Sequence, residues 1–255
     1  MTSVLLMAKP NNSSANEPVN DRAIKVIRLA TLAAAFLIVS SCADVTTLSF
    51  PSGDGGIVWA DEYGSGSHAV ILAHGGRFTK ESWTDQAIAL ADSGFRVIAF
   101  DFRGRGNSRG PATDSTGRDV HMDVVGAIDY ARESGASTVS IVGASFGGWA
   151  AAQATSHFDD PIDHLVLLGA GADEPESVRS RNTLVLLARD DYRGENTLRL
   201  PEITEDYERL PGPKEMILFE GDAHAQFLFD TDQADSVLSA ITRFLRSEPN
   251  YPTER

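Results

Sequence analysis

The stretch "IVGASFGGWA", residues 141–150, sets one hydroxyl in a run of apolar and small residues. Its centre, Gly143 to Gly147, is a Gly-x-Ser-x-Gly pattern, which chance alone places in about one chain in ten of this length when Gly and Ser are each near 7% of residues. Only the surroundings can give it meaning. It closes the apolar, strand-length run "TVSIVGA" (138–144) and opens an apolar helical segment near Phe146. A strand-to-helix corner that tight has no room for side chains at Gly143 and Gly147, and it forces strained backbone on Ser145. The helix N-terminus would also aim the Phe146 N–H at any negative charge developing beside the serine.

Outward from this corner, strand-length apolar runs alternate with helix-period segments. "VTTLSF" (45–50) and "GIVWA" (56–60), separated by "PSGDG", read as a hairpin. "HAVILAH" (68–74), "RVIAFDF" (96–102), 138–144, "HLVLLGA" (164–170), "TLVLLAR" (183–189) and "KEMILFEG" (214–221) follow. These later runs do not alternate apolar with polar, as expected of parallel strands buried on both faces. Apolar residues at helical spacing occupy 80–93, 119–134 and 232–246. The order predicts an α/β fold: a mostly parallel eight-stranded sheet led by an antiparallel hairpin, with helices on both faces. No repeat or linker marks a second domain within 42–255.

The N-terminal segment reads differently. A basic patch (Arg22, Lys25, Arg28) runs into an eleven-residue apolar segment, Leu29 to Val39, and then Ser40-Ser41-Cys42. That order is a secretory signal's, and it is short for a membrane span of roughly 20 residues. Cys42 is the only cysteine of the chain, which excludes an intramolecular disulfide. The tract resembles the lipobox of bacterial lipoproteins, against the alternatives of an uncleaved anchor or a chance cysteine. The resemblance implies a signal peptide over 1–41 and an exported chain held on a bacterial membrane, facing the periplasm or the exterior, by acyl chains on Cys42. Residues 1–41 carry a net +2, so removing them takes the chain from −14 to −16. Such acidity disfavours nucleic acid and anionic lipid headgroups as partners.

In open parallel sheets, ligands sit outside the carboxyl ends of the strands. That rule selects Ser145, His224, Asp190 and Asp191, and, more weakly, Asp222. A hydroxyl needs a base within hydrogen-bond reach, and the base needs an acid to fix its tautomer. Of the six histidines, His68 and His164 begin strands, while His121 lies on a helix and His157 ends one. His224 alone follows the last strand in a loop of small residues. "DFRGRGNS" (101–108) lacks the Lys-Ser/Thr of a phosphate loop, and no Cys/His cluster implies a metal.

"HGG" (74–76), "DFRGRGNS", "GASFGG" (143–148), "ARDDY" (188–192) and "GDAHAQ" (221–226) together resemble the α/β-hydrolase superfamily, in the order Ser, Asp, His, over roughly residues 45–247. The resemblance implies a catalytic triad of Ser145, Asp191 and His224. Asp191 is preferred to Asp190 because Ala188 holds the place of the family's glycine three residues before the acid. It implies an oxyanion hole of Gly76, or alternatively Arg77, with Phe146, a structural role for the 101–108 loop, and no cofactor. Only about a dozen residues lie between the runs ending at Ala170 and starting at Thr183, so no sizeable cap is expected. The lidless layout resembles dienelactone-hydrolase-like enzymes and small carboxylesterases. The expected activity is cleavage of small-molecule carboxylic esters, with Trp83, Phe78, Phe146 and Phe227 as candidate lining. Peptidase, thioesterase, acyltransferase and perhydrolase would use the same triad, and a non-catalytic lipoprotein binding module is the rival from another class.

Overall fold

The computed structural model describes residues 45–114 and 117–250; the expected signal segment and Cys42 lie outside them. Ten strands form two sheets. β1 (Val45–Pro51), β2 (Ile57–Tyr63), β3 (His68–Ala73), β4 (Arg96–Phe100), β5 (Thr138–Ala144), β6 (Ile162–Leu168), β7 (Ser180–Ala188) and β10 (Lys214–Phe219) build the main sheet. Its order is β1-β2-β4-β3-β5-β6-β7-β10. β1 and β2 are antiparallel to their neighbours, and every pairing from β4 to β10 is parallel. β8 (Tyr192–Arg193) and β9 (Thr197–Leu198) make a small separate hairpin.

Five α-helices accompany the sheet: α1 (Thr84–Asp92), α2 (His121–Glu133), α3 (Phe146–Thr155), α4 (Leu200–Arg209) and α5 (Ala234–Leu245). Successive residues of a strand point to opposite faces, so the apolar runs feed two cores. Ala69, Ile71 and Ala73 of β3 join Val124 and Ile128 of α2 on one face. Val70 and Leu72 join Leu90 of α1 and Val237 and Ile241 of α5 on the other. Ile71, Ile98, Ile141 and Leu165 are fully buried, and truncating any of them to Ala should cost about 2–5 kcal/mol.

The expected architecture is present, with an antiparallel lead-in and eight strands in one sheet. Several boundaries differ, and β2 runs on to Tyr63, past the expected 60. β6 and β7 begin at Ile162 and Ser180, before the expected 164 and 183, because a parallel ladder extends through polar residues once a neighbour supplies partners. The β8–β9 hairpin was not expected, since two-residue strands of Tyr-Arg and Thr-Leu leave no hydrophobic period to read.

Candidate active site

β5 ends at Ala144 and α3 begins at Phe146, so Ser145 forms the whole corner. Its N–H donates to the Leu168 carbonyl of β6 at 2.9 Å, and its carbonyl accepts the first α3 bond from the Trp149 N–H at 3.0 Å. Between these anchors the backbone sits at φ 49°, ψ −115°, a conformation that side-chain-bearing residues rarely adopt. Both expected glycines are required, though not by collision with each other. A Cβ on Gly143 would lie 2.6 Å from the Gly148 Cα, and one on Gly147 would lie 2.3 Å from the Ala73 carbonyl oxygen of β3.

His224 follows β10, five residues past Phe219, and Asp191 follows β7. His224 Nε2 lies 2.7 Å from Ser145 Oγ, and its Nδ1 lies 2.7 Å from Asp191 Oδ2. Asp191 is fully buried, whereas Asp190 and Asp222 are exposed. A carboxylate only accepts, so Nδ1 carries the proton that faces it and Nε2 is left to accept from the Ser145 hydroxyl. The line can withdraw a proton from Ser145 and store it as an imidazolium beside an anion.

Gly76 and Arg77 are the central residues of a turn closed by the Phe78 N–H on the Gly75 carbonyl at 3.0 Å. A Cβ on Gly76 would stand 3.5 Å from the Phe146 Cβ, so this turn faces the start of α3. His74 is buried beneath it. Its Nδ1–H donates to the Gly75 carbonyl at 2.9 Å, and its Nε2 accepts from the Phe102 N–H at 3.3 Å. Burial holds its pKa below that of a free histidine, so it is a neutral brace for the turn. The 101–108 loop is structural as well. Arg103 is buried on Asp123 at 2.7 Å and also pairs with Asp54 and Asp114, while Arg105 donates to the Gly76 carbonyl.

A cavity of about 210 Å³ opens beside Ser145, lined by Phe146, Trp149, the 169–173 segment and residues of the β8–β9 and α4 region. That region, inserted between β7 and β10, supplies Arg193, Arg199, Glu202, Ile203 and Asp206. Burial raises the Asp206 pKa against the opposing bond from the Ala172 N–H. Of the aromatic lining candidates, Phe146 alone borders this cavity. Trp83 is buried in the core, and Phe78 and Phe227 pack on each other with ring centres 5.3 Å apart.

Two contributors escaped the sequence reading. Gln226, two residues past His224 and buried, accepts from the Gly75 N–H at 2.7 Å and donates to Ser82 Oγ at 2.9 Å. It ties the histidine loop to the Gly75–Gly76 turn across 151 residues of chain, a distance that leaves no local signal. Arg199, whose Nε lies 3.2 Å from Asp191 Oδ1, precedes an amphipathic helix and reads locally as a solvated charge.

Comparison with known proteins identifies the fold family. Residues 68–227 match the family model for the alpha/beta hydrolase fold. An epoxide hydrolase of Caballeronia sordidicola is 37% identical over 93 residues, 36% of this chain and 28% of that protein. The human serine hydrolase BPHL is 34% identical over 110 residues, 43% of this chain and 38% of that protein. The chain thus matches well under half the length of either relative. The structure of an esterase from Exiguobacterium antarcticum superposes with a TM-score of 0.61 at 18% identity, over 79% of this chain and all of that one. The chain belongs to the alpha/beta hydrolase fold family.

Proposed function

We propose that the protein is a serine hydrolase that cleaves carboxylic esters of short acyl groups through an acyl-enzyme on Ser145. The observation that carries this reading is the unbroken Ser145–His224–Asp191 line, with two contacts of 2.7 Å from a strained, half-buried corner to a buried carboxylate. His224 Nε2 takes the Ser145 proton as Oγ attacks the ester carbonyl carbon. The N–H groups of Gly76 and Phe146 receive the oxyanion. The imidazolium then returns its proton to the departing alkoxide, and the alcohol leaves. Water repeats the cycle on the acyl-enzyme, giving up its proton to His224, and the acid is released with Ser145 restored.

A serine at this corner favours acyl substrates over epoxides. Attack of Ser145 on an epoxide carbon would leave an alkyl ether on the enzyme, with no carbonyl for water to attack, so turnover would stop at the first cycle. The cavity favours small acyl groups. Its volume of about 210 Å³ lies below the roughly 300–1,000 Å³ of sites for drug-sized ligands. Arg193, Arg199, Glu202 and Asp206 make part of its lining charged, which leaves Phe146, Trp149, Ile203 and two alanines as a short apolar surface. The expected result is turnover of aryl acetates and butyrates with little of a laurate, and loss of at least about a thousandfold in Ser145→Ala. A Ser145→Ala variant that hydrolyses the acetate at the wild-type rate would remove the proposal. Including a peroxide and an amine acceptor in the panel separates hydrolysis from perhydrolysis and acyl transfer.

We further propose that the enzyme is exported as a lipoprotein acylated at Cys42, on the strength of the basic patch, the Leu29–Val39 run and the Ser-Ser-Cys ending. Among the described residues no helix is long and apolar enough to cross a membrane. Intact mass after detergent extraction should show acyl chains on a chain beginning at Cys42. A free N-terminus of unmodified mass would contradict this.

A further inference from the structure

Asp191 poses an electrostatic question that the triad alone does not answer. Its side chain is almost wholly buried, and among the described residues its only hydrogen-bonding side-chain partner is His224. For His224 to act as a base it must be neutral in the resting enzyme, which leaves the carboxylate as a buried charge facing an uncharged ring. An isolated buried carboxylate is costly, and it escapes the cost by taking a proton. The pair would then rearrange, with Asp191 donating to Nδ1 and the ring proton on Nε2. In that tautomer Nε2 cannot accept from Ser145.

Arg199 sits where it can prevent this. It caps the N-terminus of α4, its N–H donates to the Asp191 carbonyl at 2.9 Å, and its Nε lies 3.2 Å from Asp191 Oδ1. Oδ1 and Nε are both buried, and neither makes a hydrogen bond of good geometry among the described residues, so their 3.2 Å approach is a contact of opposite charges. The other charges near this corner are otherwise engaged. Arg193 of β8 is taken by Glu202 of α4 at 2.8 Å, Asp173 accepts from the Trp149 indole at 2.7 Å, and Asp206 accepts from the Ala172 N–H. His224 and Arg199 are thus the two groups that address the Asp191 carboxylate.

We propose that Arg199 is a positioning residue of the triad: set on the outer oxygen of Asp191, its guanidinium fixes the carboxylate with Oδ2 facing His224, favours the ring proton on His224 Nδ1 and leaves Nε2 free for Ser145. The consequence for turnover rests on the serine-hydrolase reading; the consequence for the tautomer does not. Because Arg199 also borders the cavity, its loss could act through substrate binding instead, and the experiment must separate the two.

The test compares wild type with Arg199→Lys, Arg199→Gln and Arg199→Ala in the full chain. Labelling of Ser145 by a small fluorophosphonate should slow about 10- to 100-fold at pH 7 in Arg199→Gln and Arg199→Ala, with Arg199→Lys in between. KM should stay within about twofold, the pattern of a residue that acts through the triad. Guanidinium chloride at low millimolar concentration should restore part of the Arg199→Ala rate. Nitrogen-15 shifts of the His224 ring report the tautomer without any substrate: Nδ1-protonated in wild type and mixed in Arg199→Gln. Unchanged His224 shifts in Arg199→Gln, or a loss confined to KM, would overturn the proposal. A wild type that resists the fluorophosphonate would overturn the serine-hydrolase reading, and the ring shifts would still decide the role of Arg199.

Discussion

Ser145 holds φ 49° and ψ −115° because the chain on both sides is pinned, by the Leu168 carbonyl before it and by the α3 ladder after it. The flanking glycines keep the corner closed. Gly147→Ala would drive a Cβ into the Ala73 carbonyl, a backbone atom that cannot rotate away. A loss of about 1–3 kcal/mol in urea melts is expected, together with a fall in activity larger than that destabilisation explains. At the acid position the two neighbours should separate cleanly. Asp190→Asn, on an exposed side chain, leaves kcat near wild type, whereas Asp191→Asn lowers it by about 10³ to 10⁴. Gln226→Met removes the acceptor of the Gly75 N–H and should lower kcat about tenfold with KM little moved, read from steady-state kinetics. Ser145 and His224 stand at strand ends and are singled out by their place, whereas Asp190 and Asp191 share one strand end and only the family resemblance separates them. Gln226 cannot be singled out so, because its meaning depends on Gly75, a partner the fold alone brings near.

The parallel strands were legible because burial on both faces writes continuous apolar runs. "TVSIVGA" is β5 from its first residue to its last. The inserted β8–β9 hairpin and α4 were harder to read. The hairpin has two-residue strands, and α4, though amphipathic, buries Ile203 alone among its ten residues, so the sequence does not tell where it packs. That element nevertheless forms a wall of the cavity, which is why three of the four aromatic residues first considered for lining fall elsewhere. The loop after β4 shows the reverse case, a conspicuous arginine pair with a structural task. Arg103 is buried among Asp54, Asp114 and Asp123, so Arg103→Met strands at least one buried carboxylate. It should cost about 3–5 kcal/mol by chemical denaturation, the range for removing one partner of a buried ion pair.

Across the whole molecule the two ends of the sheet carry different polar chemistry. At the carboxyl ends of the strands lie Ser145, Asp191 and His224; near the opposite ends a buried chain links His68 of β3, Ser140 of β5 and His164 of β6. His164 Nε2–H donates to the Ser247 carbonyl at 3.0 Å, which leaves Nδ1 to accept from Ser140 Oγ at 3.1 Å. The Ser140 hydroxyl in turn accepts from His68 Nε2–H at 2.7 Å. Both rings are therefore neutral. Burial, with repulsion from His164, pulls the His68 pKa down to about 4, and burial lowers that of His164. Between that value and the ordinary histidine pKa of about 6.5, His68 binds a proton in the unfolded chain and not in the native one, so its own contribution to stability falls as the pH is lowered. Stability is therefore expected to fall as pH drops from 6.5 toward 4, read as Tm, and His68→Gln should flatten the slope. A Tm that rises over the same interval would contradict the tautomers assigned here.

The central claim, that Ser145 is a nucleophile activated by His224 and Asp191, is tested most directly by treating the purified full chain with a fluorophosphonate and locating the adduct by mass spectrometry. The account predicts one adduct, on the peptide that contains Ser145, absent from Ser145→Ala and formed far more slowly in His224→Ala. No adduct on the folded wild-type protein, or an adduct that persists in Ser145→Ala, would contradict it.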